Sequence, residues 1–419
     1  MKKRFNLMVV TGILLLAAVL AFTLTYQIVF TSFNQQLAIT HEGHPVRDKC
    51  AKVLEYLEKD YVGPAEFDAL ITGALKGMVA ATGDLSTEYL DAAAYGAVRR
   101  AQAEDFTGIG VSLSAARAEE GLLVTRVHPE SGAAAAGLEP RSLIVAVDGE
   151  SIADKGHDAL EEALGGPAGT LVTLDVLPDG GHDVKTVQVL RTPYTYQPVL
   201  SEIIDGDIGY VRIEAFDAST PAAFTDTCRL LTDAGAEALI IDVRGTTEGE
   251  TEPLVQTLGA LLGPGPVLSL TDHGGEEKTF SAESGGQITL PTVVLIDDGT
   301  AGEAEYFAAV LKEAGRAEIV GTSSAGKAYL QTMIPLSDGS ALRVSTHIYK
   351  TPSGASVEKT GVLPDHTVAL TERDRANLAF LPHDEDEQLM KAYQLTRDAL
   401  DAVFLPVLPG NSPAPPSAS

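Results

Sequence analysis

The sequence predicts an α/β fold (α+β overall), and three observations lead to it. Beyond about Gly206 the chain alternates near-continuous apolar strands with helices. From Phe106 to about Arg191 it reads as short strands between Gly-containing turns, and before that apolar residues recur at helical spacing. At 419 residues the chain is too long for one ordinary core and suggests domains of roughly 100–200 residues each.

In chain order, MKKR precedes FNLMVVTGILLLAAVLAFTLTYQIVF, an apolar run long enough to cross a hydrocarbon core of ~30 Å as a helix of ~20 residues. Lys2, Lys3 and Arg4 favour a cytoplasmic N-terminus, and no clear small-x-small site comes after the run to mark a removed signal peptide. Residues 1–31 are therefore read as a cytoplasmic stub and transmembrane signal anchor, with the rest of the chain outside the cell membrane.

Residues 46–100 form a helical segment: Val53, Leu54 and Leu57 make one apolar stripe, and Leu70, Ala74, Leu75, Met78 and Val79 another, expected to pack on the β-rich domain next in the chain. Residues 104–192 make that domain, with "GIGVSL", "GLLVTRVH", "SLIVAVDG" and "TLVTLDVL" as strands and "HDALEEALGG" as a helix closed by Gly165. Residues 200–372 make the α/β core. There "IGYVRIEAF" is a strand, and Thr220 with Pro221 supplies an N-cap and first turn for a helix to about Ala234. "EALIIDVRG", a helix over 253–262, "PVLSL" and "TVVLID" come next, then a turn, a helix to Ala314 stopped by Gly315, and "AEIVGT". Residues 373–405 are read as a C-terminal helical segment, and 406–419, rich in Pro, Ser and Ala, as a disordered tail.

Acidic residues number 58 against 30 basic, a net charge of −28, which disfavours nucleic acid as a partner and repels an anionic membrane surface. Cys50 and Cys228 form no closely spaced framework and are read as free or buried thiols, although an exported setting permits a disulfide. The nine His residues include no His-x-x-x-His pair, so neither a metal nor a cofactor is expected.

Several motifs occur together in this order: "ALKGMVAATGD", "FTGIGVSL", "VHPESGAAAAGLEPRSLIVAVDGESI", "GYVRIEAF", "LIIDVRG", "GKAYLQT", "IPLSDGSALRVSTHIYKTPSG" and "GVLPD". The set resembles the C-terminal processing peptidases, or tail-specific proteases, over most of residues 50–370. These are exported serine peptidases with a Ser-Lys pair, and the resemblance implies a PDZ domain inserted before an α/β core of the ClpP/crotonase-like type. It also implies binding of the C-termini of exported or unfolded proteins. A Gly-flanked turn such as Thr107–Gly110 can aim backbone N–H groups at one carboxylate, so Gly108, Ile109, Gly110 and Val111 are the expected peptide-binding residues. The family's usual Pro-Gly-Asp turn reads Pro140-Arg141-Ser142 here.

The resemblance also locates departures. Active members read Gly-Ser-Ala-Ser-Ala-Ser-Glu in the turn after the "TVVLID"-like strand, with the second Ser as nucleophile; here the stretch runs Gly299-Thr300-Ala301-Gly302-Glu303-Ala304-Glu305. Gly302 takes the nucleophile's place. Lys327 matches the family's general base and Gln331, four residues on, its orienter, since that spacing shares one face of a helix or strand. The oxyanion loop, usually Asn-Asn-Pro-Gly-Gly, reads Gly245-Thr246-Thr247-Glu248-Gly249, and a carboxylate at Glu248 would oppose developing negative charge.

The implied function is a membrane-anchored, extracytoplasmic homologue of these peptidases that binds protein C-termini and has lost hydrolysis, acting as a scaffold or regulator of an active relative. The enzyme alternative is a serine- or threonine-type endopeptidase with a relocated nucleophile at Thr300, Ser323 or Ser324. A purely structural exported protein is the third reading. Asp297 and Asp298 are read as strand-end and turn residues.

Overall fold

The computed structural model describes residues 45–63, 66–84, 86–101, 107–114, 121–151 and 163–404. The expected anchor, the C-terminal tail and most of the helix expected over 157–164 lie outside the described residues. Among the described residues no helix is long and apolar enough to cross a membrane.

The chain divides into two units, the first ending at Ala74 and the second beginning at Leu75. The helices Pro45–Asp60 and Phe67–Ala80 form where the apolar stripes predict, yet neither buries a residue. Val53 and Met78 are exposed. A stripe specifies a helix face but not its partner. Cys50 is exposed and Cys228 buried, and both are free thiols.

In the second unit a six-stranded sheet runs in the order Val199–Ile204, Ile208–Ile213, Ala238–Asp242, Thr292–Ile296, Glu318–Gly321, His366–Thr367. The first pair is an antiparallel hairpin turning at Asp205 and Gly206, both at positive φ, and the remaining pairs are parallel. Alternation sorts the side chains: Leu239, Ile241, Val294 and Ile296 join a core with Phe224, Leu254, Leu258 and Phe307 from the helices Thr220–Asp233, Thr251–Leu262 and Glu303–Glu313. Ile240, Val293 and Leu295 point the other way, onto Leu389 and Ala392 of the helix Glu387–Phe404. Both faces are covered, which is why 238–241 and 293–296 are apolar at every position. The helix after "IGYVRIEAF" is capped one residue early: Ser219 is the N-cap, and Thr220, inside the first turn, donates its hydroxyl to Ala215 O at 2.8 Å.

A second, antiparallel sheet centres on Ala341–Lys350, which pairs with Glu88–Leu90 and Gly265–Asp272 on one side and Tyr329–Pro335 on the other. The β-rich domain is a sheet in the order Val111–Ser114, Leu122–Val127, Leu143–Val147, Leu171–Leu177, Lys185–Leu190, with Val111–Ser114 at its edge.

Candidate active site

The turn at 297–302 is held by one carboxylate and one hydroxyl. Asp297 Oδ1 accepts the amides of Gly299 at 3.1 Å and of Gly245, on the neighbouring loop, at 2.8 Å. Thr300 is fully buried; its hydroxyl accepts Asp297 N–H at 3.0 Å and donates to Val243 O at 2.9 Å. Two loops are thereby tied together. At the tip Gly302 has φ 60° and ψ −127°, a conformation that disfavours any side chain, yet a Cβ there would meet only Thr247 O at 3.7 Å.

Glu305, fully buried one turn along the helix, binds the tip to the next segment. Its carboxylate accepts from Gly302 N at 3.2 Å, Gly326 N at 2.6 Å, Lys327 N at 2.8 Å and Ser324 Oγ at 2.5 Å. Burial raises its pKa, and these donors oppose the shift. Lys327 is thus held by its main chain, while its side chain is exposed and makes no hydrogen bond or ion pair among the described residues. Of the regular element over 327–331 that the spacing of four assumes, only 329–331 forms, at the start of the strand Tyr329–Pro335. Residues 323–328 are irregular, and the register against Ala341–Lys350 shifts between Leu330 and Gln331. Gln331 turns instead to Ser345 Oγ at 2.7 Å, which donates to Asp84 at 2.6 Å.

The loop at 245–249 is clamped along its length. Thr246 donates its hydroxyl to Ile213 O at 2.6 Å, its carbonyl accepts Ala301 N–H at 2.9 Å, and Glu248–Gly249 pairs with Ala215–Phe216. The Glu248 side chain lies outside the described part of the structure. Below the loop Arg244, 2% exposed, reaches Asp242 at 2.7 Å and Asp386 at 2.9 Å, tying it to the C-terminal helix. Desolvation would raise the Asp242 pKa, but Arg244 and Arg212 override it and hold it at about 2.

One large cleft runs from the β-rich domain across the core. Ile109, Gly110 and His128 of the β-rich domain line it, as do Gly249, Glu303 and Gln331 of the core. Gly302 and Lys327 do not line it. Glu303 does: the residue is 8% exposed, and burial pushes its carboxyl up to about 7 against a hydrogen bond from Tyr349 Oη at 2.6 Å.

Residues 207–368 match peptidase family S41, and residues 123–178 match a PDZ domain. The chain is 30% identical over 376 residues to the carboxy-terminal processing protease CtpA of Bacillus subtilis (strain 168), covering 89% of this chain and 79% of that one. It is a C-terminal processing peptidase by family. CtpB of the same organism is 27% identical over 338 residues, 80% of this chain and 69% of its own. The solved photosystem II D1 C-terminal processing protease superposes with a TM-score of 0.51 at 26% identity, covering 81% of this chain and 89% of that one.

In this member of the peptidase family the PDZ loop is built on glycine. Gly110 has φ 76°, and a Cβ there would fall 2.2 Å from Ser131 Cβ, so no other residue fits. Gly108 pairs with Thr192, and Ile109 is buried with its carbonyl on Ala133 N at 2.8 Å. Val111 opens the edge strand, which pairs on one side with Leu122–Val127. Burial first, and Arg126 second, lower His128 to about 4, so a neutral imidazole flanks this loop.

The family pattern pointed at Gly302, Lys327 and Gln331, and missed Glu303, Tyr349 and Arg244. The only signal for Glu303 was a charge beside the tip, where the family has Ala. Tyr349 sits 46 residues away, and no local pattern joins the two.

Proposed function

We propose that this chain is a membrane-anchored, extracytoplasmic member of the C-terminal processing peptidases, held by the apolar run at 5–30, which binds protein C-termini and has lost hydrolysis. Its ligands are the C-termini of exported or unfolded proteins, and an active relative is a fitting partner. The observation that carries this reading is the absence of a reacting oxygen at the tip: Gly302 stands there, and its neighbour Glu303 lines the cleft. The exposed side chain of Lys327 supports it, since a general base of this kind works when burial lowers its pKa. The PDZ match and the edge strand Val111–Ser114 support the binding half.

The test incubates the full chain in detergent with unfolded casein and with peptides carrying free or amidated C-termini. Binding without cleavage, weakened by amidation, is expected. Turnover that Lys327→Ala abolishes sinks the loss of hydrolysis.

A further inference from the structure

Glu303 opens the helix Glu303–Glu313 with its carboxyl in the cleft wall. Its stem rests on the adjoining loop, because a Cβ on Gly249 would come within 2.7 Å of Glu303 Cβ and 2.9 Å of Cγ. The groups facing it are neutral or acidic. From Ala341–Lys350, Tyr349 Oη donates to Oε1 at 2.6 Å and is itself joined to Thr251 Oγ1 at 2.6 Å. Glu250, beside the helix Thr251–Leu262, adds a like charge, and the Glu303 amide donates to its own carboxyl. On its own helix Glu305 faces away, toward Ser324, Gly326 and Lys327, and Tyr306 stacks on Tyr349 with centroids 4.9 Å apart. Among the described residues Glu303 has no ion-pair partner.

A buried carboxyl keeps its proton up to its raised pKa of about 7, and with Oε1 accepting from Tyr349 that proton belongs on Oε2. A neutral acid of this kind is a hydrogen-bond donor, as backbone amides are in oxyanion sites. We propose that the Glu303 carboxyl is the ligand-reading group of the core cleft, donating its Oε2 proton to a main-chain carbonyl of an extended peptide laid along Gly249. This rests on the reading that the chain holds peptides without cutting them. The cleft is continuous from Ile109 and Gly110 to Glu303, so a chain captured by its C-terminus is led past this donor. An ionised Glu303 presents negative charge to the same carbonyl, so binding is favoured by acid and lost as the group titrates near 7.

The probe is fluorescein-labelled α-lactalbumin, reduced, alkylated with iodoacetamide and with its carboxyl groups amidated. It has no free C-terminus for the PDZ loop and no carboxylates of its own to titrate. Binding to the full chain is read by anisotropy between pH 5.5 and 8.5, with circular dichroism verifying each variant's fold. Wild type is expected to bind about ten-fold more weakly at pH 8 than at pH 6, as one ionisation near 7 requires. Glu303→Gln, a permanent donor, should keep the pH 6 affinity throughout. Tyr349→Phe removes a donor that favours the ionised form, so the fall should move to higher pH. A Glu303→Gln profile that falls like wild type, or no probe binding at any pH, overturns the proposal. Fragments on a gel of the same samples, absent with Lys327→Ala, would instead overturn the loss of hydrolysis and leave the profile comparison standing.

Discussion

The Glu305 carboxylate accepts the backbone amide of Lys327 at 2.8 Å, while the Lys327 side chain is exposed. The same carboxylate accepts from the tip glycine and from Ser324, so one buried side chain gathers the turn and the segment behind it. Glu305→Gln exchanges an acceptor for a donor among these partners and should cost about 2 kcal/mol, read by urea unfolding. A change below a few tenths would mean the carboxylate is not the organiser of this corner.

Gly302→Ser has room, since its Cβ would meet only Thr247 O at 3.7 Å, but φ 60° strains it. A stability loss of about 1–2 kcal/mol is expected. Turnover of unfolded casein should stay undetectable, because Glu303 remains beside the tip and the Lys327 side chain remains exposed. Robust peptidase activity from this single change would refute both parts of that account.

Stability should fall between pH 5 and 8 through Glu303. Its folded pKa of about 7 stands above the ordinary 4.5, so its contribution is full below 4.5 and is lost as pH rises through 7. The loss amounts to about 3 kcal/mol. Glu303→Gln should flatten that part of the profile, measured by urea unfolding at each pH.

Thr300 and Ser324 are spoken for. Thr300 bridges Asp297 and Val243, and the Ser324 hydroxyl donates to Glu305 and accepts Val362 N–H at 2.7 Å. A fluorophosphonate should label neither one, by intact-mass spectrometry. Thr300→Val should cost about 1–3 kcal/mol by leaving the Asp297 amide without its partner, while Val243 O keeps the Thr246 amide. Labelled Thr300 or Ser324 would revive a relocated nucleophile.

Arg141 holds φ 71°, a conformation suited to the glycine the family places there. Its guanidinium donates to Phe380 O at 3.2 Å and lies 4.7 Å over the Phe380 ring. Arg141→Gly should relieve about 1 kcal/mol of strain and forfeit a contact worth ~1 kcal/mol, leaving Tm nearly unchanged. The PDZ domain should become freer, seen as faster limited proteolysis around 193–198. Unchanged proteolysis would show that Arg141 holds nothing.

Local spacing determined the order of strands and helices, and the resemblance to the peptidase family singled out Gly302 at the tip and Glu248 in the loop 245–249. Alternation and capping act over a few residues, so a sequence displays them directly. Only the tertiary structure decided that Glu303 rather than Gly302 meets the cleft, that Lys327 is anchored by its amide with its side chain outside, and that Arg141 reaches Phe380 across 239 residues. Those outcomes depend on how covered sheets and clamped loops bring distant segments together, and on which side chains burial leaves facing one another. No periodicity along the chain encodes either.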